Sequence, residues 1–285
     1  MNRIERDRLR THLEHITGER FPDVSNKHLQ SVITYLQTTL RNAGYDLERH
    51  PFQVDGMTYE NIIARKEGFR KKDRIIVGAH FDSVMGSPGA DDNASGVASM
   101  LELARRLKDR KWNHTIEFVG FHLEEWNMLG SVAYVKKLKR EGIKVRGMFS
   151  LEMIGFTSHQ PKSQQMPPGF SFFYPDVGNF IGLVGNLSSI PLLNIFKRHM
   201  KKINNLPVET LVMPLNGALV PATRLSDHSP FWDAGYPALL ITDTSFFRNP
   251  HYHGPTDTIE TLDLDFMTRV TEGVERALLA LDEVS

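Results

Sequence analysis

From Asp73 onward the chain alternates short apolar runs with amphipathic stretches, and this alternation restricts the fold more than any other feature of the sequence. Ile75-Ile76-Val77 reads as a buried strand, residues 93–108 as a helix, Ile116 to Phe121 as a strand and residues 129–140 as a helix. Val145 to Met153 reads as a further strand, 189–203 as a helix, Pro237 to Ile241 as a strand and 263–282 as the closing helix. Strands that alternate with helices bury both faces of a sheet. The pattern therefore predicts an α/β fold, a three-layer α/β/α sandwich with a mixed, mostly parallel central sheet. Ahead of it, apolar spacing predicts helices near 3–17 and 25–43, the second with Leu29, Val32, Ile33, Leu36 and Leu40 on one stripe and closed by Gly44. Strands are expected near 46–53 and 58–66. A single domain over 1–285 is expected, with helices of 1–45 packing on the sheet and no separate lid domain. Thr157 to Asn179, rich in proline and aromatic residues, reads as a long loop, a type that is usually functional or mobile.

Composition removes several chemistries. The 285 residues contain no cysteine, which excludes a disulfide scaffold, a Cys-ligated zinc module and a thiol nucleophile. The 34 basic and 34 acidic side chains cancel, which argues against disorder and against nucleic acid as a partner. The basic clusters Arg70-Lys71-Lys72 and Lys136-Lys137-Lys139-Arg140 read as a loop and a solvated helix face. No run approaches the roughly 18 apolar residues of a membrane span, and no apolar core follows the basic opening residues. The expectation is a cytoplasmic protein with no membrane partner.

In open α/β sheets ligands bind beyond the carboxyl ends of the strands. Those positions here are rich in metal-ligand types: His80 and Asp82, then Glu124 and Glu125, then Glu152, then His251 and His253. Taken singly each has an ordinary reading. Asp91-Asp92-Asn93 before a helical stretch is a capping signal, and adjacent glutamates are common on solvated faces. Glu152 in an apolar strand is less comfortable, because a buried carboxylate without a cation is costly. Four strand ends bearing such residues point to a metal centre. If Asp91, Glu125 and Glu152 ligate together with two neutral histidines, the shell carries three negative charges, which two divalent ions and a bridging hydroxide balance. Mixed His and carboxylate ligation suits Zn²⁺ in a hydrolytic site, where two ions about 3.5–4 Å apart polarise a carbonyl and supply hydroxide. Of two adjacent glutamates, one can ligate while the other accepts a proton.

Five segments in order carry a family resemblance: Gly78-Ala79-His80-Phe81-Asp82-Ser83, Gly89-Ala90-Asp91-Asp92-Asn93-Ala94-Ser95-Gly96, Leu123-Glu124-Glu125 with Leu129-Gly130-Ser131, Ser226-Asp227-His228 through Gly235-Tyr236-Pro237, and His253-Gly254-Pro255-Thr256-Asp257-Thr258. Over nearly the whole chain they resemble the zinc aminopeptidase family M28, whose members cut single residues from peptide N-termini with two zinc ions on an α/β sandwich. The resemblance implies His80, Asp91, Glu125, Glu152 and His253 as metal ligands, with Asp91 bridging. It implies Glu124 as general base, Asp82 as the residue that holds His80 in its tautomer, and Tyr252 as a donor to the developing oxyanion. Asp227 and His228 are implied to lie near the site without ligating. Two divalent ions, zinc by default, and peptide substrates with a free N-terminus follow from the same likeness.

Two departures stand out. The best-known members have Asp where this chain has Glu152, and His251 lies two residues from His253, which is preferred for its Gly-Pro-Thr-Asp-Thr continuation. Within the same fold, glutaminyl cyclases close an N-terminal glutamine on its own amine with similar ligands. The Leu129-Gly130-Ser131 continuation and the Gly-Ala-Asp-Asp-Asn signature look more like the peptidases. A serine hydrolase is disfavoured by the lack of Gly-x-Ser-x-Gly. Phe156, Phe172, Phe173, Tyr174, Phe246 and Phe247 are expected to border the site and to shape an apolar first pocket for Leu, Met or Phe.

Overall fold

Alternate residues of the central strands feed two separate cores, one on each face of an eight-stranded sheet. The computed structural model describes residues 3–23, 26–167, 169–170 and 172–284. Its strands are β1 (Asp46–Val54), β2 (Met57–Lys66), β3 (Arg70–His80), β4 (His114–Phe121), β5 (Lys144–Glu152), β6 (Ile181–Asn186), β7 (Val208–Met213) and β8 (Ala238–Thr242). In β3, Ile75, Val77 and Ala79 enter the larger core and Ile76 the smaller; in β4, Ile116 and Phe118 part in the same way from Val119 and Phe121. The helices are α1 (Arg3–Ile16), α2 (Lys27–Asn42), α3 (Gly96–Leu107), α4 (Leu129–Arg140), α5 (Ile190–Met200), α6 (His228–Asp233) and α7 (Leu264–Glu283). Residues of α1, α2, α3, α5 and α7 close the larger core, and residues of α4 and α6 the smaller. At the centre of the larger core Phe149 and Phe196 stack with centroids 4.2 Å apart, both fully buried. Phe149→Ala is expected to lower the unfolding free energy by about 3–5 kcal/mol, seen as a lower urea midpoint at unchanged slope.

The strand order is β1-β2-β4-β3-β5-β8-β6-β7. β4, β3, β5 and β8 run parallel, β1, β2 and β4 pair antiparallel, and β6 runs antiparallel to β8 but parallel to β7. The consequence for function is geometric. The carboxyl ends of β3, β4, β5 and β8 share one edge, so the segments after His80, Phe121, Glu152 and Thr242 converge there.

The expected three-layer sandwich and mixed sheet are the observed ones, with local differences. α3 begins at Gly96 and not at 93, because Asp92 (φ −103°, ψ 90°) and Asn93 (φ −131°, ψ 38°) leave helical geometry and Asn93 Oδ1 accepts the Gly96 N–H at 3.1 Å. α2 starts at Lys27, where Asn26 Oδ1 accepts from His28 N and Leu29 N at 3.0 and 3.1 Å; Ser25, in the expected helix, lies outside the described residues. β6, β7 and α6 are unexpected. β6 contains Gly182 and Gly185, β7 is an edge strand of mostly half-buried side chains, and α6 is too short to show a period. No described helix is long and apolar enough to cross a membrane.

Candidate metal centre

His80 closes β3 and Glu152 closes β5, so the sheet itself aims both side chains at the common edge. Glu124 and Glu125 follow β4, Asp92 lies in the irregular turn Ala90–Ser95, and His253 lies beyond β8. Asp92 stands between two donor sets. Its Oδ1 is 3.2 Å from His80 Nε2, which is also 3.2 Å from Glu152 Oε1. Its Oδ2 is 3.2 Å from His253 Nε2, which is 3.3 Å from Glu125 Oε2. Two three-residue groups able to hold a cation result, His80–Asp92–Glu152 and Asp92–Glu125–His253, with Asp92 common to both. Glu124 approaches His80 Nε2 less closely, at 3.8 Å, although His80, Glu124 and Glu125 also form a possible group.

Several of the elements that carry these side chains are held from behind. The Asp82 carboxylate accepts the backbone N–H groups of Glu124 and Glu125 at 3.3 Å each, and thereby fixes the glutamate pair. Toward His80 Nδ1 it presents its own carbonyl oxygen at 3.2 Å and its carboxylate at 3.7 Å. Ser226 donates to Glu152 Oε2 at 2.8 Å and contacts Ser150 at 2.9 Å. Asp257 accepts from Asp91 N and Asp92 N at 2.9 and 3.1 Å. Two turns that carry residues of these groups take the left-handed conformation without glycine, at Leu123 (φ 58°) and His253 (φ 56°); such backbone persists where the surroundings over-determine it, commonly at functional sites.

The placement of Asp91 corrects the expectation that it joins the ligands. Its Oδ1 accepts from Gly155 N at 2.9 Å and its Oδ2 from Asn249 Nδ2 at 2.7 Å, so it faces down into the fold. The non-helical backbone of Asp92 sends neighbouring side chains to opposite sides, and Asp92 takes the position facing the histidines. His251 is likewise turned away, bonded to Thr256 Oγ1 at 2.8 Å and edge-on to Phe156. His228 bonds the Thr223 carbonyl at 2.9 Å and packs on Trp232, and burial pulls it down to about 3, so it is a neutral packing residue. Asp227 is buried close enough to act on Glu124 electrostatically, and burial pushes it up to about 7. Tyr252 stacks on the His253 ring at 3.7 Å.

The charges call for cations. Burial raises Glu124 well above the carboxylate range, with Glu152, Asp227 and Glu125 adding to the shift, and burial raises Glu125 to about 7. Burial works against the Asp92 charge too, yet hydrogen bonds from His253 and His80 hold it well below the usual range. His253, despite burial, rises to about 10 through Asp92 and Glu125. Without metal, protons on the histidines are what offset the carboxylates. Among the described residues Glu125 Oε1 is buried with no hydrogen-bond partner, which leaves it free to accept an ion. The donor set, imidazole and carboxylate, fits zinc.

Beside the centre opens a cavity of ≈ 290 Å³. Its floor includes Leu240, Val184 and Leu211, adjacent across β8, β6 and β7, and its walls include Met128, Phe246 and Phe247. Apart from residues of the centre, its lining side chains are uncharged. Of the six aromatic residues expected to border the site, only Phe246 and Phe247 do so. Phe172 and Phe173 are 89% and 80% exposed, Tyr174 bonds the Thr210 carbonyl, and Phe156 meets His251.

The sequence profile of Peptidase family M28 matches residues 61–278. The chain is similar to the uncharacterized protein YfbL of Escherichia coli K12, 35% identical over 254 residues that cover 84% of this chain and 76% of that protein. It is similar also to a probable leucine aminopeptidase of Trichophyton verrucosum, 31% identical over 221 residues, 73% of this chain but only 53% of that one. The chain thus spans about half the length of that aminopeptidase. Among solved structures, the zinc aminopeptidase BSAP of Bacillus subtilis aligns with a TM-score of 0.59 and 27% identity over 79% of this chain and 51% of that one. A glutaminyl cyclase of Porphyromonas gingivalis aligns at 0.71 with 20% identity over 97% and 96%, a likeness of fold alone.

Proposed function

The chain belongs to peptidase family M28, and from that premise we propose that it is an aminopeptidase that binds two divalent ions, zinc by preference, and releases apolar N-terminal residues from peptides. One observation carries the reading: the two oxygens of Asp92 face two different donor sets. His80, Asp92 and Glu152 would hold one ion, and Asp92, Glu125 and His253 the other. When bound, such ions polarise the scissile carbonyl and make water acidic at neutral pH. Glu124, kept out of both sets and with its pKa raised, accepts the proton of the attacking water and returns it to the leaving amine. Tyr252, whose pKa burial and the surrounding carboxylates push upward, stays protonated and donates to the developing oxyanion.

Substrate choice follows from the cavity. Carboxylates at its inner end attract a free α-amino group, while the lining beyond them offers no charge to pair an acidic or basic side chain. A panel of aminoacyl amides, free and N-acetylated, tests both halves. Leu, Met or Phe should exceed Glu and Lys by about 100-fold in kcat/KM, and acetylation should abolish turnover. Preference for a charged residue would refute the apolar pocket. Cyclisation of N-terminal glutamine, without cleavage of the other substrates, would make the protein a cyclase instead.

A further inference from the structure

Arg20 lies in the segment between α1 and α2, yet its side chain is wholly buried against the turns that present the ligands. Nε donates to the Phe81 carbonyl at 2.9 Å. Nη1 donates to Ile16 O, Gly18 O and Pro88 O at 3.0, 2.7 and 2.7 Å, and Nη2 to Gly89 O at 2.8 Å with Asp92 O at 3.4 Å. Its backbone N–H donates to Ser83 Oγ at 2.8 Å and its carbonyl accepts from Ser83 N at 3.3 Å. One planar group therefore ties the residue that follows His80 to the loop that leads into Asp92. Gly89 makes the approach possible: it is left-handed (φ +62°), and a Cβ there would lie 2.6 Å from Nη2 and 2.3 Å from the Asp92 carbonyl. The guanidinium also feels the attraction of Asp92, Asp257, Asp82 and Glu125.

A residue that served only to dock the N-terminal helices would need the Ile16 and Gly18 contacts. Arg20 directs most of its donors to Phe81, Pro88, Gly89 and Asp92. We propose that Arg20 is a positioning residue for the metal centre, whose rigid fork sets the spacing of His80 from Asp92 and thereby the affinity for the ion that these two residues and Glu152 would hold. The inference rests on the two-ion reading of the site. Lysine, with its donors on one nitrogen, cannot reproduce the fork.

Cobalt(II) titration of the metal-free full chain tests it, with binding constants and the cobalt d–d absorption read beside the thermal midpoint. R20M should bind cobalt about 10–100-fold more weakly with an altered spectrum, and R20K should share the defect although its charge is kept. E117Q, in the buried network of Arg65, Arg74 and Tyr134, serves as the control: it should lower the midpoint and leave cobalt affinity unchanged. A folded R20K with wild-type affinity and spectrum would overturn the proposal. Should both Arg20 variants fail to fold, Ser83→Ala, which removes the hydroxyl that accepts from Arg20 N and donates to Ser87 O at 3.4 Å, should show a smaller loss in the same direction, and no change there would equally overturn it. Failure of the wild-type chain to take up cobalt would instead remove the two-ion reading, before any substitution is considered.

Discussion

Glu124→Gln is expected to keep its fold and both metal ions while kcat falls about 10²–10⁴-fold, the range for loss of a general base. Glutamine has the same shape, and the Asp82 carboxylate that holds the residue 124 N–H is unaffected by the change. What disappears is the capacity to take a proton. The native side chain is only 12% exposed, and burial with neighbouring carboxylates raises its pKa, which strengthens it as a proton acceptor in the proposed role. Metal analysis by mass spectrometry beside steady-state kinetics decides the matter. Loss of an ion in this variant would exchange the roles of Glu124 and Glu125, since His80, Glu124 and Glu125 also lie close enough to share a cation.

Asp92→Ala is expected to weaken binding of both ions by more than about 100-fold and to bring turnover to background, because it removes the carboxylate common to both donor sets. Its neighbour provides the contrast. Asp91→Ala should cost about 1–3 kcal/mol of stability by orphaning Gly155 N and Asn249 Nδ2, while binding of both ions persists. Equilibrium dialysis against zinc, run on both variants with thermal unfolding, separates these effects. Two ions retained by Asp92→Ala, and lost by Asp91→Ala, would restore Asp91 as the bridge.

The pair also shows where a sequence stops being readable. Strand ends bearing histidine and carboxylate stand out because apolar runs precede them, and a charged side chain after a buried strand has few places to go. Choosing between Asp91 and Asp92 requires the dihedral angles of a single non-helical residue, and no propensity supplies those. Ser226 and Asp257 lie within quoted motifs, but what they do emerges only when distant loops meet. Arg20 leaves no trace at all, since its side-chain partners are main-chain carbonyls and any sequence provides those. In the fold, β6 and β7 escape detection because glycines and an exposed edge dilute their apolar pattern.

The floor of the cavity has a consequence for how such a protein can diverge. Leu240, Val184 and Leu211 belong to β8, β6 and β7, whereas His80 and Glu152 end β3 and β5 and the glutamate pair follows β4. On the proposed reading, selectivity and reactivity thus have different addresses in the sheet. Substitutions at 184 and 211 are then expected to reshape what is accepted while every proposed ligand stays in place, so that one chemistry can serve several diets.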